Sequence, residues 1–273
     1  MGESEKTKFR GVAARTNYLA MDRPDLQYAT KNLCRKMANL EASDWHKAKK
    51  IARYIKGRPR AIIRFPFEGS EDHLDAYADS DWAGEKPSMK STSGGAVRWG
   101  DSTLKSWSST QSTIAMSSGE AELYAMSKCA QQVVSIMSLA ADFDIILKGK
   151  VHSDSTAALG IAYRRGLGGK TRHVRIQYLW IQEAVANREI SLCKAGTLDN
   201  PADLLTKFLC AELLNEHAVK LGMYFPEGRS SLQKAVSSLE ELENMKHRVI
   251  TFAKHVGIAK TLCKKLSVHP MIG

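Results

Sequence analysis

The sequence has no long apolar run and no cysteine pattern of a secreted or metal-binding module. No stretch approaches the roughly 20 apolar residues that cross a bilayer, and the opening residues, MGESEKTKFR, lack the apolar stretch of a secretory signal. The five cysteines are odd in number and widely spaced, with no C-x-x-C pair, which argues against a disulfide framework and a zinc ribbon. We therefore expect an intracellular protein, in the cytoplasm or nucleus, that does not contact a membrane.

Acidic side chains are scarce in the first quarter of the chain. Residues 1–65 contain 16 Lys and Arg against 6 Asp and Glu, a net charge of +10, whereas all 273 residues together carry +11. A basic block joined to a near-neutral body is typical of a segment that meets a polyanion such as nucleic acid. A basic surface that only keeps the protein soluble explains the same charge and stays open.

Helical periodicity dominates the beginning of the chain. Residues 12–57 have the pattern of helices with a break at Pro24, and residues 43–56 are amphipathic, with Trp45, Ala48 and Ile51 on one face and a row of lysines and arginines on the other. A solvated face over an ordinary core and a face that lies on nucleic acid both explain this pattern.

From residue 61 the periodicity becomes that of strands. Residues 61–67, 73–82, 93–100 and 102–109 are predicted to form consecutive antiparallel strands. We then expect a helix at about 117–143, a strand at 151–154, helices at 156–163 and 173–187, a strand at 189–195 and a short helix from Pro201. Strands first and alternation afterwards predict an α/β fold with a mixed sheet and helices on its faces. Two further helical stretches, joined by FPEGRSS, are predicted after residue 209.

Two glutamates begin the long predicted helix, and their positions differ. Ser117 and Glu120 have the spacing of a capping box, in which the glutamate turns back to the start of the helix. Glu122 instead begins a stripe that is otherwise apolar and continues through Met126 and Val133. A lone carboxylate on a buried stripe is costly unless a cation pairs with it, so Glu122 is the candidate metal ligand.

Three aspartates occupy comparable places at the ends of predicted elements. Asp79 ends the strand LDAYAD, Asp154 ends the strand VHSD and Asp203 opens the last short helix. Strand ends in an open α/β sheet form the crevice where ligands bind, and several carboxylates in one crevice call for divalent metal. Taken singly each acid is weak evidence, because Asp154 and Asp203 would serve as helix N-caps and Asp-x-Asp segments commonly form turns.

Together with their surroundings these acids resemble a known family. The segments YADSDWAG, KSTSGGAV, WSSTQSTIAMSSGEAELYA, VHSDSTAAL, KTRHVRIQYLWIQE and NPADLLTKF are similar, in order and spacing, to the ribonuclease H domain of copia-type LTR-retrotransposon Pol polyproteins. The similarity spans about residues 72–209. Upstream, RTNYLAMDRPDLQYATKNLCRKM and WHKAKKIARYIKG resemble the reverse-transcriptase connection or thumb region that precedes this domain in the same polyproteins.

The resemblance implies a fold and a site. The fold would be a ribonuclease H-like five-stranded sheet, three strands antiparallel and then two parallel, flanked by helices. The site would hold two Mg²⁺ ions, with Mn²⁺ as a substitute, on Asp79, Glu122, Asp154 and Asp203, which are also the catalytic residues. Asp81 is then a neighbour of the ligand and not the ligand itself. Residues 1–65 would form the basic helical segment, 66–209 the ribonuclease H-like domain and 210–273 a helical tail of unknown role.

The sequence departs from the family pattern at three places. TKF stands where Thr-Lys-Pro is common, Arg175 stands where an acid is usual, and SSGEAE replaces Ser-Ser-Thr-Glu-Ala-Glu. The stretch KAGTLDNPAD also lacks a histidine that related cellular enzymes use for proton transfer or product release. None of these departures removes a proposed metal ligand.

Candidate nucleic-acid contacts lie on two segments. Hydroxyls of a strand start could meet phosphate or the ribose 2′-OH, and cations after a glycine-rich loop could hold the backbone; an ordinary strand start and a solvated loop explain them equally well. The candidates are Ser91, Thr92, Ser93, Lys170, Arg172 and His173.

The leading hypothesis is an endonuclease that hydrolyses the RNA strand of RNA/DNA hybrids, as a fragment of a retrotransposon Pol polyprotein whose polymerase domain would be its partner. Polymerase activity is not expected, because the chain has no Tyr-x-Asp-Asp motif. A second hypothesis is a catalytically inactive remnant that binds nucleic acid. A third, a DNA-cutting integrase or transposase, is disfavoured because those enzymes place the glutamate last and here Glu122 comes second.

Overall fold

A five-stranded mixed sheet forms the centre of the protein. The computed structural model describes residues 2–66, 71–166, 168–169 and 172–227. The strand order is β4-β3-β2-β5-β6; β2, β3 and β4 are antiparallel neighbours, while β5 and β6 run parallel to β2. The strands are β2 (His73–Glu85), β3 (Lys90–Trp99), β4 (Ser102–Thr110), β5 (Lys148–Ser153) and β6 (Ile190–Lys194). The expected order of three antiparallel and two parallel strands is confirmed.

Helices surround this sheet, and a two-stranded ribbon lies apart from it. The ribbon pairs β1 (Ile62–Ile63) with β7 (Met223–Tyr224) in antiparallel fashion. The described α-helices are α1 (Glu3–Leu19), α2 (Pro24–Cys34), α3 (Ala42–Gly57), α4 (Ser118–Ala141), α5 (Thr156–Ala162), α6 (Trp180–Ala186) and α7 (Ala211–Lys220). Two short 3-10 helices, Ile176–Tyr178 and Pro201–Leu205, complete the set. No described helix is long and apolar enough to span a membrane.

The main core lies between α4 and the sheet. The predicted apolar stripe of α4 is buried, and Met126, Cys129 and Val133 are fully enclosed with Ala76 of β2 and Val151 of β5. Burying a side chain of this size contributes about 1.5–3 kcal/mol. The N-terminal part of α4, which carries Glu122, is thereby held against β2, where Glu122 accepts from the Ser80 amide.

The opposite face of the sheet is covered by the Pro201–Leu205 helix, α7 and α2. Gly94 of β3 makes the close approach possible, because an added Cβ there would lie 2.6 Å from Thr206 Cγ2 and 3.0 Å from the Ala202 carbonyl oxygen. Asn200 anchors the same segment, since its Nδ2 donates to the Ala78 carbonyl of β2 at 2.8 Å. The segment that carries Asp203 is therefore pressed against the strand that carries Asp79.

Helices α1 to α3 share a small apolar core around Phe9, Leu26 and Leu33. Polar contacts attach α2 to the sheet: Gln27 Nε2 donates to Ser106 Oγ of β4 at 3.0 Å, and the Lys31 ammonium donates to the Thr92 hydroxyl of β3. Of the three basic N-terminal helices, α2 thus lies against the sheet, and α1 and α3 pack on α2.

Several predicted elements differ from the structure. The helical region of residues 12–57 begins earlier, at Glu3, and is three helices, because the chain turns before Pro24 and again at residues 35–41. The helix expected at 173–187 is reduced to the Ile176–Tyr178 and Trp180–Ala186 helices. The strand expected at 61–67 pairs with β7 and is no part of the main sheet.

The C-terminal region is described only in part. The first helical stretch predicted after residue 209 is confirmed as α7, and the second lies in residues 228–273, outside the described residues. The β1–β7 ribbon joins residues of the predicted first and third regions. The division at residues 65 and 209 stays a prediction.

We expect Gly94→Ala to destabilise the protein by about 1–3 kcal/mol, because the new methyl group would push the 201–206 segment off β3. Urea unfolding measures the change. The control is Gly160→Ala in α5, where no atom lies within 4 Å of an added Cβ and the higher helix propensity of alanine should stabilise by ~0.5–1 kcal/mol. Equal stability of wild type and Gly94→Ala would contradict the proposed packing constraint.

Candidate active site

Three carboxylates meet at the β2–β5 pair. Asp79 lies in the middle of β2, which continues to Glu85, so the prediction that Asp79 ends its strand is wrong. Asp154 directly follows β5 and Glu122 lies in the beginning of α4; one oxygen of each of the three acids lies within 4.8 Å of the others. The pairing of Tyr77 with His152 in these parallel strands brings Asp79 and Asp154 level two residues further on. We call Asp79, Glu122 and Asp154 the acidic cluster.

Asp203 lies beside the acidic cluster without belonging to it at that distance. Its carboxylate is buried, 8% exposed, and Lys207 links it to Asp79: Lys207 Nζ lies 2.9 Å from Asp203 Oδ1 and 3.9 Å from Asp79 Oδ2. The Thr206 hydroxyl also donates to Asp79 Oδ2. The structure thus brings all four predicted acids to one region, three within 4.8 Å of one another and Asp203 beside Asp79, with Lys207 close to both.

Burial and mutual repulsion dominate the electrostatics. Burial, then the negative charges of Asp79 and Asp154, raises the pKa of Glu122 to about 9. Burial and the charge of Asp79 raise the pKa of Asp203 to about 7 and also raise the pKa of Asp154. Such shifts are typical of sites that take a cation or transfer a proton.

The alternative that Asp154 and Asp203 are helix N-caps does not hold, because other residues cap the two helices. Ser155 Oγ accepts from the Ala158 amide at 3.2 Å and caps α5. Asn200 Oδ1 accepts from the Ala202 amide at 3.1 Å and caps the Pro201–Leu205 helix. The carboxylates of Asp154 and Asp203 are therefore not used as N-caps.

Glu120 and Glu122 have the two different roles that the sequence predicts. Ser117 Oγ accepts from the Glu120 amide at 3.2 Å, and Glu120 Oε2 accepts from the Met116 amide at 2.8 Å, so Glu120 closes the start of α4. Glu122 accepts one hydrogen bond, from the Ser80 amide at 3.2 Å. Its Oε2 is inaccessible to solvent and has no hydrogen-bond partner among the described residues.

Asp81 has a structural partner of its own. Its Oδ1 accepts from the Thr92 amide across the β2–β3 pair, beside an irregularity in the pairing between Asp81 and Glu85. Asp81 is absent from the acidic cluster. The geometry therefore places Asp79, and not Asp81, beside Glu122 and Asp154.

The residues predicted to contact nucleic acid are not gathered in one place as the four acids are. Ser91, Thr92 and Ser93 are buried, and their hydroxyl oxygens accept from the Ala83 amide, Lys31 and Gln111 respectively. Arg172 is exposed, His173 Nε2 lies 3.0 Å from Glu120 Oε2, and Lys170 lies outside the described residues. Contact of these six residues with nucleic acid stays a prediction.

The acidic cluster fits a divalent cation. It offers only carboxylate oxygens, the ligands that Mg²⁺ prefers, and the Glu122 oxygen that has no partner is buried among them. Such an unpaired buried oxygen is costly. A cation held by Asp79, Glu122 and Asp154 would remove both this cost and the repulsion.

Sequence reasoning assigned no role to three residues that shape this site: Lys207, Thr206 and Asn200. The spacing of Lys207 four residues after Asp203 is a usable signal, because such pairs meet on a helical turn. The contact of Asn200 with Ala78 joins residues far apart in the chain and leaves no local signal.

The strand order, the strand directions and the acids on and beside β2 and β5 define a ribonuclease H-like fold with an acidic site. Two Pol polyproteins of plant transposons are similar to this chain in sequence. The Pol polyprotein of transposon RE1 from Arabidopsis thaliana is 31% identical over 223 residues, 81% of this chain and 15% of its own length. That of transposon RE2 from the same plant is 30% identical over 222 residues, 80% of this chain and 15% of its own length. No family model matches the chain.

The chain is a homologue of the retrovirus-related Pol polyproteins of transposons, which confirms the predicted kinship. It spans about 15% of the length of these curated relatives. Among solved structures, a ribonuclease H1 isolated from compost by a metagenomic approach has a TM-score of 0.37 and 16% identity, covering 53% of this chain and 97% of its own. The fold class follows from the strand order and not from this likeness.

The raised pKa of Glu122 predicts a pH-dependent stability. In the folded state Glu122 holds its proton up to about pH 9, well above its ordinary value, so the folded form binds more protons and stability falls as pH rises through this window. In EDTA, we expect Glu122→Gln to flatten the decline of Tm between pH 5.5 and 8.5. Glu183→Gln, at an exposed position of α6, is the control; identical slopes for both variants would contradict the prediction.

Lys207 should stabilise the metal-free protein. Its ammonium lies between Asp203 and Asp79, so Lys207→Met leaves their repulsion uncompensated. We expect a lower Tm for Lys207→Met in EDTA at pH 8 and a larger rise of Tm on adding Mg²⁺ than wild type shows. Lys148→Met, which removes an exposed ammonium at the other end of the sheet, should show the wild-type response to Mg²⁺. A Lys207 variant that responds to Mg²⁺ as wild type does would refute this compensation.

Proposed function

We propose that the protein is a metal-dependent endonuclease that hydrolyses the RNA strand of RNA/DNA hybrids, with Mg²⁺ as the natural ion and Mn²⁺ as a substitute. The observation that carries the proposal is the acidic cluster, in which three carboxylates lie within 4.8 Å and one buried oxygen of Glu122 has no described partner. Kinship with retrotransposon Pol polyproteins supports a nuclease that acts on nucleic acid, and the resemblance to the copia type supports the hybrid as its substrate.

Each residue of the site has a distinct task in this proposal. Asp79, Glu122 and Asp154 would hold the ions, and Asp203 would complete the set from the opposite side. When bound, divalent ions activate the attacking water and stabilise the charge on the leaving oxygen. Asn200 and Thr206 keep the 201–206 segment against β2, so the distance between Asp203 and Asp79 is maintained.

Lys207 has two roles in this scheme. In the free protein its ammonium offsets part of the negative charge of Asp203 and Asp79, which lowers the cost of gathering four acids. Because its side chain is 46% exposed, it can move toward solvent when a cation arrives. There it can donate to a non-bridging oxygen of the scissile phosphate.

The same lysine favours one alternative, a catalytically inactive remnant that binds nucleic acid. An ammonium that permanently replaced a metal ion would leave the fold intact and the reaction lost. The metal response of the Lys207 variant, together with cleavage by wild type, separates the two functions.

The chain would act as the trailing part of a Pol polyprotein, inside the cell, beside the reverse-transcriptase polymerase domain. The resemblance of the upstream segment to the connection region and the basic charge of residues 1–65 support this setting. The contacts of α2 with β3 and β4 would attach such a segment to the nuclease unit.

Cleavage of a labelled RNA/DNA hybrid tests the proposed activity. Wild type should cut the RNA strand in Mg²⁺ or Mn²⁺ and not in EDTA, and should leave the matching DNA duplex intact. Asp154→Asn should lose roughly 100-fold or more, since the ions contribute several kcal/mol of transition-state stabilisation.

Asp81→Asn is the matched control, because it removes one carboxylate two residues from Asp79 and keeps an oxygen for the Thr92 amide. It should retain most of the activity. Cleavage lost equally in both variants would refute the assignment of Asp79 over Asp81, and binding without cleavage by wild type would favour the inactive remnant.

A further inference from the structure

A second concave site lies next to the acidic cluster and has no role in the proposed reaction. This groove of about 440 Å³ lies between α4, the ends of β3 and β4 and the Ile176–Tyr178 helix. Its described lining consists of hydroxyl, phenol and amide groups with one ammonium and no carboxylate. Ser109, Gln111, Tyr124, Lys128, Gln131 and Tyr178 are the lining residues that matter below. We call it the α4 groove.

Lys128 is the charge in the α4 groove, and it has no acidic partner among the described residues. Its ammonium donates to Ser109 Oγ at 2.6 Å and lies 5.8 Å from the centre of the Trp107 ring. Burial lowers its pKa, which is the mark of a cation that its surroundings do not compensate. An anionic ligand would supply the missing charge.

Gln111 offers an unused acceptor in the same place. Its side chain is 6% exposed, and its Nε2 donates to Ser93 Oγ at 2.9 Å and to the Ala121 carbonyl at 2.8 Å. Its Oε1 has no hydrogen-bond partner in the described structure. Because buried amides ordinarily satisfy both ends, the lining is incomplete without a donor such as a base N–H or a sugar hydroxyl.

The α4 groove and the acidic cluster share the N-terminal part of α4, although no residue of the acidic cluster lines the groove. Gln111 binds the carbonyl of Ala121, the residue before Glu122, and Tyr124 follows Glu122 by two positions on α4. The Tyr178 ring stacks on Tyr124 with centroids 3.8 Å apart, and Tyr178 is only partly buried. The α4 groove therefore offers a nucleic-acid strand an aromatic wall, amides and a cation.

We propose that the α4 groove binds an unpaired nucleotide of a nucleic-acid strand, with Lys128 on a phosphate, the glutamine amides on the base and Tyr178 against its ring. This proposal extends the nuclease function and rests on it for the origin of the strand. Aromatic platforms, amides and cations are the general means of holding single strands, and a volume of this size suits one nucleotide.

Fluorescence anisotropy with labelled oligo(dT) of twelve nucleotides tests the groove in EDTA, where no cleavage occurs. Lys128→Gln should bind roughly tenfold more weakly than wild type, as expected for one charged hydrogen bond. The slope of log K against log salt should fall by about 0.7, the value for one phosphate on a single strand. Lys148→Gln makes the same charge change at the other end of the sheet, on a side chain that is 76% exposed, and should bind as wild type.

A second groove variant, Gln131→Glu, tests the proposal independently in case Lys128→Gln does not fold. Gln131 is exposed on the groove wall, so Gln131→Glu should fold normally and weaken binding through repulsion of the phosphate. Wild-type affinity in both groove variants, or an equal loss in Lys148→Gln, would overturn the proposal. A blunt DNA duplex that binds with the same dependence on Lys128 would overturn the assignment to an unpaired strand.

The source of the phosphate is tested by competition. If a strand is the ligand, millimolar thymidine monophosphate or inorganic phosphate should displace the oligonucleotide poorly; displacement by either at micromolar concentration would identify a site for a free anion instead. Failure of the nuclease is distinguishable from failure of the groove. Binding of the oligonucleotide is measured in EDTA, so it is read whether or not wild type cleaves a hybrid, and Lys128→Gln should keep the wild-type rise of Tm on adding Mg²⁺.

Discussion

Electrostatic repulsion within the acidic cluster is the constraint on which the rest of the structure depends. Asp79, Glu122 and Asp154 place oxygens within 4.8 Å of one another, and partial burial strengthens their repulsion because the local dielectric is low. The folded state tolerates this arrangement through a proton on Glu122, whose pKa is raised to about 9, and through the ammonium of Lys207. Both the proton and the ammonium would become unnecessary if a divalent ion bound, because its charge would compensate the carboxylates directly.

The framework around the acidic cluster explains why the carboxylates cannot move apart. Parallel pairing of β2 with β5 keeps Asp79 and Asp154 level, and the buried stripe of α4 prevents Glu122 from turning away from the sheet. On the opposite face, Gly94 allows the chain to approach β3, and Asn200 ties it to β2. Because the packed core is rigid, it holds the like charges in a fixed arrangement. A metal site requires ligands that are fixed in this way.

The confirmed predictions rest on patterns within a few residues of sequence. The features that the sequence does not predict depend on contacts between residues far apart in the chain. Glu122 was separated from Glu120 because a helix cap and a helical stripe are readable within a few residues of sequence. The mixed sheet was predictable from the change of periodicity, and its strand order from resemblance. The pairing of β1 with β7 and the contact of Asn200 with Ala78 join distant segments. No periodicity encodes them, so the ribbon and the position of the Asp203 segment emerge only in the folded chain.

The basic residues of the segment 1–65 differ in their surroundings: some form contacts within the protein and others are exposed. Arg23, Lys36 and Lys47 form ion pairs within the N-terminal helices, while Lys31 is directed inward onto β3, where burial lowers its pKa to about 8. These cations hold the segment together and attach it to the sheet. Four others lie exposed along α3: Lys49, Lys50, Arg53 and Lys56. Lys8 and Arg15 of α1 are exposed as well, so nucleic-acid contact by the N-terminal helices would depend on exposed cations of α1 and α3 and not on the net charge of the whole segment.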